Sequence, residues 1–200
     1  MYTLINGSPK NKSSNSRYFL DYISKYLYDY KLHDLKITNY LEILKDIDNS
    51  LGVVLAFPLY LDSPNSVTLA FLDYIFDKKI DLNNKRIYFI INCGFRESEH
   101  NLTAINIMKS WCLRVNARYS GAVLIGAGEI VGKKKYRFLS NKTFKILREF
   151  SDVIANDKET SEYITTLDLL NNKLYCKIIN YLWNKKAKLN NLDKEAIMAK

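Results

Sequence analysis

The residues from Asn6 to Ser16, Asn-Gly-Ser-Pro-Lys-Asn-Lys-Ser-Ser-Asn-Ser, have the side chains that an anion-binding loop needs. They follow a short apolar run, Met1–Ile5, and precede an amphipathic segment, so they lie where a first strand would pass into a first helix. Glycine permits a sharp turn, serine and lysine bind phosphate oxygens, and a helix N-terminus adds unpaired N–H groups and the positive end of its dipole. The spacing predicts a phosphate site, and the alternative is a solvated turn whose Ser or Asn caps the helix.

Two later loops have residues suited to contacting a flat ring. Pro58-Leu59-Tyr60-Leu61-Asp62-Ser63-Pro64 follows the apolar run Leu51–Phe57, and Asn92-Cys93-Gly94-Phe95 follows the run Arg86–Ile91. In an open parallel sheet, ligands bind outside the carboxyl ends of the strands, where the strand order reverses. The three loops together predict a site for a phosphate attached to a flat heteroaromatic ring.

The chain offers no convincing set of catalytic or metal-binding side chains. Its two histidines, His33 and His100, lie in no motif, and its three cysteines are widely spaced with no Cys-x-x-Cys pair. This pattern disfavours a zinc or iron–sulfur site and a disulfide framework. We therefore predict no catalytic residue and no metal, interpret His33 as structural, and interpret Cys93 as a small loop residue.

The apolar pattern predicts strands that alternate with helices. Such alternation is typical of a doubly wound parallel sheet, here five strands in the order 2-1-3-4-5 with helices on both faces. Ser63 is predicted to cap the third helix and Pro64 to occupy its first turn. The predicted strands are Met1–Ile5, Leu32–Ile37, Leu51–Phe57, Arg86–Ile91 and Ala122–Ile125, and the first predicted helix is Arg17–Tyr30.

From Ser140 onward the sequence predicts helices to the end of the chain. A polar turn at Asn156–Thr160 predicts a boundary between a domain of residues 1–156 and a C-terminal helical extension of residues 157–200. Leu167–Trp183 has an amphipathic pattern, and Lys185–Lys200 reads as a basic tail. The extension is thus predicted to be helical and basic.

Length and hydropathy restrict the class of protein. The chain has 200 residues, of which 48% are hydrophobic, enough for one domain with a substantial core. No stretch approaches the roughly 20 consecutive apolar residues of a membrane-spanning helix, and the N-terminus has no signal-like segment. We therefore expect a cytoplasmic protein without stable membrane insertion.

The positive charge leaves a second class of function open. With 30 basic and 21 acidic residues the net charge is +9, and +7 of it lies in residues 131–200. Basic residues around the apolar stripe of Leu167–Trp183 would suit a nucleic-acid or anionic lipid surface. A helix that packs on the core or across a dimer interface explains the same pattern, so we expect no nucleic-acid partner.

Three motifs in register resemble one family. Gly7-Ser8-Pro9-Lys10 with Ser14-Asn15-Ser16, then Pro58-Leu59-Tyr60 with Ser63, then Asn92-Cys93-Gly94-Phe95, are similar to the flavodoxin-like NAD(P)H-dependent FMN reductase and quinone-reductase family. The resemblance covers about residues 1–155 in order and spacing. It implies a flavodoxin-like fold, FMN as cofactor, NAD(P)H as co-substrate and a homodimer. The implied acceptor is small: a quinone, a nitro or azo compound, a metal complex or a free flavin.

The resemblance also implies roles for individual residues. Relatives often carry Arg where this chain has Lys10, and Lys binds phosphate as a point charge instead of through two parallel hydrogen bonds. The alternative is an electron carrier of flavodoxin type, although flavodoxins are usually acidic and lack a long helical extension. The implied cofactor-binding residues are Ser8, Lys10, Ser14, Asn15 and Ser16 at the phosphate, Pro58, Leu59 and Tyr60 along the isoalloxazine with Ser63 in the same loop, and Asn92, Cys93, Gly94 and Phe95 at the pyrimidine end.

Overall fold

The computed structural model describes residues 1–167 and 171–192, and the chain forms two compact units, Met1–Leu167 and Asp168–Lys200. Among the described residues, the first unit contains all the strands and all the helices but one. The strands are β1 (Tyr2–Asn6), β2 (Tyr30–Asp34), β3 (Gly52–Tyr60), β4 (Ser63–Pro64), β5 (Arg86–Asn92), β6 (Arg118–Ile125) and β7 (Glu162–Thr165). The helices are α1 (Asn15–Ile23), α2 (Tyr40–Asp48), α3 (Ser66–Asp77), α4 (Asn101–Arg114), α5 (Gly128–Val131), α6 (Asn141–Ala155) and, in the second unit, α7 (Asn172–Leu189).

The main sheet is parallel, in the order β2-β1-β3-β5-β6-β7, and the short β4 pairs antiparallel with β3. The predicted doubly wound order is therefore confirmed, with one more parallel strand at the β6 edge. β7 lies in the region that the sequence predicted to be helical, so that prediction is wrong for Glu162–Thr165. Four residues are too few to give a strong strand pattern in the sequence. The strand is defined by its pairing with β6.

Helices cover both faces of the sheet because its central strands are apolar on both sides. β3 and β5 are buried along nearly their whole length, as expected for strands between two helix layers. One face packs against α2, α3 and α4 through side chains such as Ile43, Phe71 and Met108. The other face packs against α1 and α6, where the Phe19 and Phe144 rings lie 6.3 Å apart.

The first helix is shorter than predicted. It ends at Ile23 and continues as a single 3₁₀ turn, Ser24–Tyr26, before the chain becomes extended at Leu27. The Tyr22 and Tyr26 rings still contact edge to face at 5.6 Å, which explains why the apolar spacing continued past the helix end. β2 consequently begins at Tyr30, two residues before the predicted start.

The first compact unit extends to Leu167, beyond the boundary predicted at residue 156. The division into two domains at residue 156 stays a prediction. Thr165 of β7 accepts a hydrogen bond from Gly126 N at 2.8 Å, and its hydroxyl lies 3.0 Å from that of Thr143. The segment after residue 156 therefore helps to complete the sheet.

The second unit is described over residues 171–192 and consists of α7, which Asn171 caps through its side chain. Leu170 of the predicted apolar stripe and residues 193–200 of the predicted basic tail lie outside the described residues. In the part of the chain that the structure describes, no helix is both long and apolar enough to cross a membrane.

Candidate functional site

The carboxyl ends of β1, β3 and β5 bring the three predicted loops to one edge of the sheet. Asn6 of β1 is paired with Ala56 of β3, and Pro58 of β3 is paired with Asn92 of β5. The buried Asn92 amide donates a hydrogen bond to Ser16 Oγ at 2.9 Å. A single side chain from β5 is therefore fixed to the start of α1.

Asn6 organises the loop between β1 and α1. Its Oδ1 accepts hydrogen bonds from Ser8 N at 3.2 Å and Ser14 Oγ at 3.3 Å, and its Nδ2 donates to Asn11 O at 2.9 Å and Asp34 Oδ1 at 2.8 Å. The side chain is fully buried, so water does not compete for these bonds. Asn6 was not among the predicted binding residues, and its place at the end of an apolar strand was the one signal of its role.

Gly7 is required for a close approach of two elements. Gly7 N donates to Ala56 O at 2.8 Å, and Thr68 Oγ1 of α3 donates to Gly7 O at 3.0 Å. A Cβ at position 7 would lie too close to Thr68 Oγ1 for a nonbonded contact. The sequence predicted that this glycine permits a sharp turn. Its φ is not in the left-handed region, so the reason for a glycine here is the close packing against Thr68.

The N-terminus of α1 faces the same loop. Ser14 is the N-cap: its Oγ accepts a hydrogen bond from Arg17 N at 3.1 Å, and its carbonyl accepts one from Tyr18 N at 3.1 Å. The N–H groups of Asn15 and Ser16 come before the first intrahelical hydrogen bonds. These two N–H groups, together with the helix dipole, favour an anion at this position.

The charge near the loop is partly neutralised. Arg17 Nε lies 2.8 Å from Asp21 Oδ1, and its Nη1 lies 3.0 Å from Asp34 Oδ2. Lys10 and Lys12 are both exposed and belong to the loop itself. Within the loop itself, these two lysines are the cations available to an anion.

The loop after β6, Gly126–Gly132, contacts both the start of α1 and the loop after β5. Asn15 Nδ2 donates to Gly128 O at 2.8 Å, and Gly128 N donates to Cys93 O at 2.8 Å. A Cβ on Gly132 would collide with the Asn15 side chain. Gly126 and Gly128 are crowded by the loop after β5, and Gly132 by Asn15 of α1, so the need for these glycines arises from contacts that are distant in sequence.

The chain between β3 and α3 forms a tight hairpin. Leu61 and Asp62 occupy its turn with φ of 50° and 56°, and Ser63 returns to pair with Tyr60. Two left-handed residues are characteristic of a type I′ turn, which Asn and Gly usually form. Asp62 tolerates this conformation, but Leu61 is unusual in it, so the sequence did not indicate the hairpin.

The hairpin overturns the predicted start of the third helix. Pro64 pairs with Leu59 in β4, and α3 begins at Ser66. The Asn65 side chain caps the helix by accepting hydrogen bonds from Val67 N at 3.1 Å and Thr68 N at 3.2 Å. Asn65, and not Ser63, is therefore the cap.

The residues predicted to lie along a ring differ in exposure. Pro58 is half-buried, Leu59 is in the hydrophobic core, and Tyr60 is 44% exposed. Leu61 at the turn is fully exposed. The part of this loop that can contact a ligand is thus Pro58, Tyr60 and the turn, while Leu59 anchors it.

The loop after β5 has a buried and an exposed half. Phe95 is 56% exposed, and its ring centre lies 4.3 Å from that of His100. His100 Nδ1 is 3.5 Å from Asp62 Oδ1 in the hairpin. The two loops that would flank a flat ligand therefore contact each other through His100.

Cys93 belongs to the buried half. Its N–H donates to Ile125 O at 3.0 Å and its carbonyl accepts from Gly128 N, so both backbone groups are bonded within the protein. Cys93 was predicted to present backbone groups to a ligand; its N–H is engaged within the protein, and the prediction now rests on the second lone pair of its carbonyl oxygen. Burial raises the pKa of the thiol to about 11, which keeps it neutral near pH 7 and supports its interpretation as a packing residue.

One group of potential metal ligands occurs within residues 1–167 and 171–192: His33 on β2 with Glu42 and Asp46 on α2. Asp46 Oδ1 lies 2.5 Å from Lys31 Nζ, and Asp46 Oδ2 lies 2.9 Å from His33 Nε2. Burial raises the pKa of Asp46, but the hydrogen bonds from Lys31 and His33 outweigh it, so the net pKa is lowered. The Lys31 ammonium already neutralises this carboxylate, and we interpret the group as a structural tie between β2 and α2.

Solved structures share this arrangement of strands and helices. Trp repressor binding protein from Bacillus subtilis has a TM-score of 0.61 at 16% identity, over 74% of this chain and 96% of that chain. A flavodoxin from Streptococcus pneumonia TIGR4 has a TM-score of 0.58 at 13% identity, over 78% of this chain and 99% of that chain. The fold is flavodoxin-like. NADPH-quinone reductase from P. pentosaceus has a TM-score of 0.59 at 13% identity, over 78% of this chain and 97% of that chain.

No protein-family model and no curated protein sequence matches this chain. At identities of 13–16%, the structural neighbours establish the flavodoxin-like fold. The ligand and the reaction must be argued from the site itself.

Proposed function

We propose that this protein is an FMN-dependent oxidoreductase that takes electrons from NAD(P)H and passes them to a small acceptor. The observation that carries the proposal is the meeting of three loops at one edge of a flavodoxin-like sheet, where a helix N-terminus lies beside exposed aromatic side chains. In this fold the switch point between the first and third strands is where FMN binds. Neighbours named as an NADPH-quinone reductase and a flavone reductase are consistent with the reaction.

The residues of the first loop suit a phosphate. Ser8 is buried and its Oγ accepts a hydrogen bond from Lys10 N at 3.3 Å, which leaves its hydroxyl proton to donate. With the N–H groups of Asn15 and Ser16, and Lys10 at the rim, it would hold the phosphate dianion. The Ser14 hydroxyl already donates within the protein, so its part would be to shape the cradle.

The neighbouring loops suit a flat ring. Tyr60 and Phe95 are exposed, and a Cβ added at Gly94 would meet no atom within 4 Å, so a ring can approach the backbone there. When bound, FMN supplies the hydride and electron chemistry, and the protein needs no general base of its own. The part of Tyr60, Phe95 and the Asn92 backbone would be to hold the ring and shield one face from water.

Spectroscopy of the purified protein tests the proposal. We expect a flavin absorption spectrum as purified or after reconstitution with FMN, and loss of that absorption when NADH or NADPH is added without oxygen. A protein that stays colourless and does not bind FMN would contradict the proposal.

The second candidate is an electron carrier of flavodoxin type, which the similarity to a flavodoxin favours. A carrier would bind FMN and be reduced by dithionite, but its flavin absorption would persist with either nucleotide. Stopped-flow mixing with NADH and NADPH separates the two functions, because both predict a bound flavin and only the enzyme predicts rapid reduction by a nucleotide.

The predicted homodimer is also a proposal, and a groove between α3 and α4 supports it. The groove has a volume of about 560 Å³ and contains the exposed side chains of Phe76 and Ile107. Asp73 and Arg114 line it with opposite charges, and in the proposed dimer Asp73 of each copy would pair with Arg114 of the other about a twofold axis. We expect light scattering to give twice 23.3 kDa, and Ile107→Glu to give the monomer.

A further inference from the structure

A second concave site lies between the N-terminal ends of α2 and α3, against the β1–α1 loop. We call it the α2–α3 pocket; it has a volume of about 510 Å³, within the range of small-molecule sites. Pro9 and Asn11 of the loop form one wall, and Tyr40 and Ser66, the first residues of the two helices, lie on the others. None of the predicted cofactor-binding residues lines it, so the proposed FMN site does not account for it.

Much of the lining is apolar. Leu35 is buried, while Ile37 at the rim is 79% exposed, and Val67 and Ala70 contribute from α3. An exposed isoleucine beside a concave apolar surface would lose contact with water if a ligand ring covered it. This surface therefore favours the apolar body of a small molecule.

Tyr40 places a polar group in this apolar surrounding. The residue is 5% exposed, and its ring contacts Phe71 at 4.9 Å and Tyr74 at 5.2 Å between centres. Its hydroxyl makes no hydrogen bond to residues 1–167 and 171–192, and its oxygen is not fully buried, so the hydroxyl reaches solvent and is open to a ligand. Burial raises the pKa of Tyr40, so the hydroxyl is a neutral donor near pH 7.

The other polar side chains of the pocket, those of Lys36, Ser66 and Asn11, each carry at least one donor. Lys36 supplies an ammonium and Ser66 a hydroxyl, and no Asp or Glu lines the pocket. The Asn65 cap accepts from the N–H groups of Val67 and Thr68 and leaves that of Ser66. The N-terminal end of α3 and the lysine thus both favour a negative charge.

We propose that the α2–α3 pocket binds a small aromatic carboxylate. The ring would lie against Ile37, Val67 and Ala70, and the carboxylate would accept hydrogen bonds from the donors of Tyr40, Lys36 and Ser66. Because Pro9 and Asn11 belong to the β1–α1 loop, a ligand there contacts the same loop that would hold the FMN phosphate, from outside the phosphate cradle. The pocket would take a ligand distinct from FMN.

Titration calorimetry with naphthalene-2-carboxylate on the full chain, without added FMN, tests the proposal. We expect saturable binding, and about three- to tenfold weaker binding for Tyr40→Phe, which removes the hydroxyl and keeps the ring. Lys36→Met should weaken binding to a similar or greater extent. Lys45→Met, an exposed lysine of α2 that does not line the pocket, is the matched control and should bind as the wild type does.

Three further measurements make the result decisive. The neutral naphthalene-2-carboxamide should bind more weakly than the carboxylate. Ala70→Trp should abolish binding by filling the pocket from an exposed position on α3, and circular dichroism will confirm that each variant is folded. Absence of binding to the wild type, or equal binding by all variants, would overturn the proposal. Neither result depends on whether the protein binds FMN.

Discussion

At the scale of single residues, the Asn6 amide has the largest effect on the candidate site. Replacing Asn6 with Ala removes four hydrogen bonds and leaves buried partners such as Ser8 N without an acceptor. We expect the free energy of unfolding to fall by about 2–4 kcal/mol and FMN binding to be lost. Urea unfolding and flavin titration measure the two effects. Asn49→Ala, which removes one exposed hydrogen bond to Lys45 O of α2, should change stability by less than about 1 kcal/mol.

The cysteines should differ in reactivity. Burial raises the pKa of Cys93 to about 11 and that of Cys112 to about 12, whereas Cys176 is exposed on α7. Since the thiolate is the nucleophile, iodoacetamide near pH 7 should modify Cys176 alone in the folded protein and all three cysteines in urea. Mass spectrometry of the alkylated peptides gives the answer, and rapid modification of Cys93 in the folded protein would contradict its interpretation as a packing residue.

At the scale of elements, the β3–β4 hairpin has a strained turn. Leu61 adopts a left-handed conformation and is fully exposed, so it combines backbone strain with no burial. Leu61→Asn should therefore stabilise the protein by about 1 kcal/mol, because Asn tolerates this conformation and no packing is lost. Thermal and urea unfolding measure the gain. If the variant is more stable but slower with its acceptor, Leu61 is retained for contact with that acceptor.

The tie between β2 and α2 should depend on pH. The pKa of Asp46 is lowered in the folded protein, so its contribution to stability is complete above the ordinary value of 3.8 and is lost as the pH falls through and below it. Asp46→Asn should cost about 1–2 kcal/mol near neutral pH, and the difference from wild type should shrink below pH 3.8.

Urea unfolding over a pH series tests this dependence. The exposed Asp48→Asn on the same helix is the control and should show no such trend. A cost for Asp46→Asn that persists undiminished in acid would show that the carboxylate charge is not the cause.

The sequence indicated those elements whose own residues determine them. Long apolar runs predict β3 and β5 because a strand covered on both faces needs no polar residue. β7 was missed because pairing with β6 creates it, and the hairpin was missed because Leu61 is an unusual residue in a left-handed turn position. Tertiary contacts therefore decided the elements that local pattern did not.

The candidate site follows the same division. The anion site was predictable because hydroxyls before a helix are suited to an anion: Ser8 lies in the β1–α1 loop and Ser16 in the first turn of α1, and their binding roles stay predictions. Asn6 and Gly132 were not predicted, since each acts through a partner in another loop. Side chains that support a site from behind have no signature of their own in a single sequence.

At the scale of the whole molecule, the extent of the folded unit can be tested by truncation. A chain ending at Leu167 retains β7 and should be about as stable as the full chain toward urea. A chain ending at Asn156 loses the partner of β6 and the hydrogen bond from Gly126 N to Thr165 O. We expect it to be less stable by at least about 3 kcal/mol and to bind FMN weakly, since the β6 loop contacts α1. Equal stability of the two truncated chains would instead support the predicted boundary at residue 156.

The Asn15–Gly128 and Ser16–Asn92 hydrogen bonds join residues that are 113 and 76 positions apart in the chain. Contacts of such long range form late, because the entropy of closing a large loop must be overcome first. During synthesis from the N-terminus, the first loop would leave the ribosome long before its partners exist. We therefore expect the nascent chain to acquire affinity for the proposed FMN in one late step, once β7 has emerged, and not in proportion to its length.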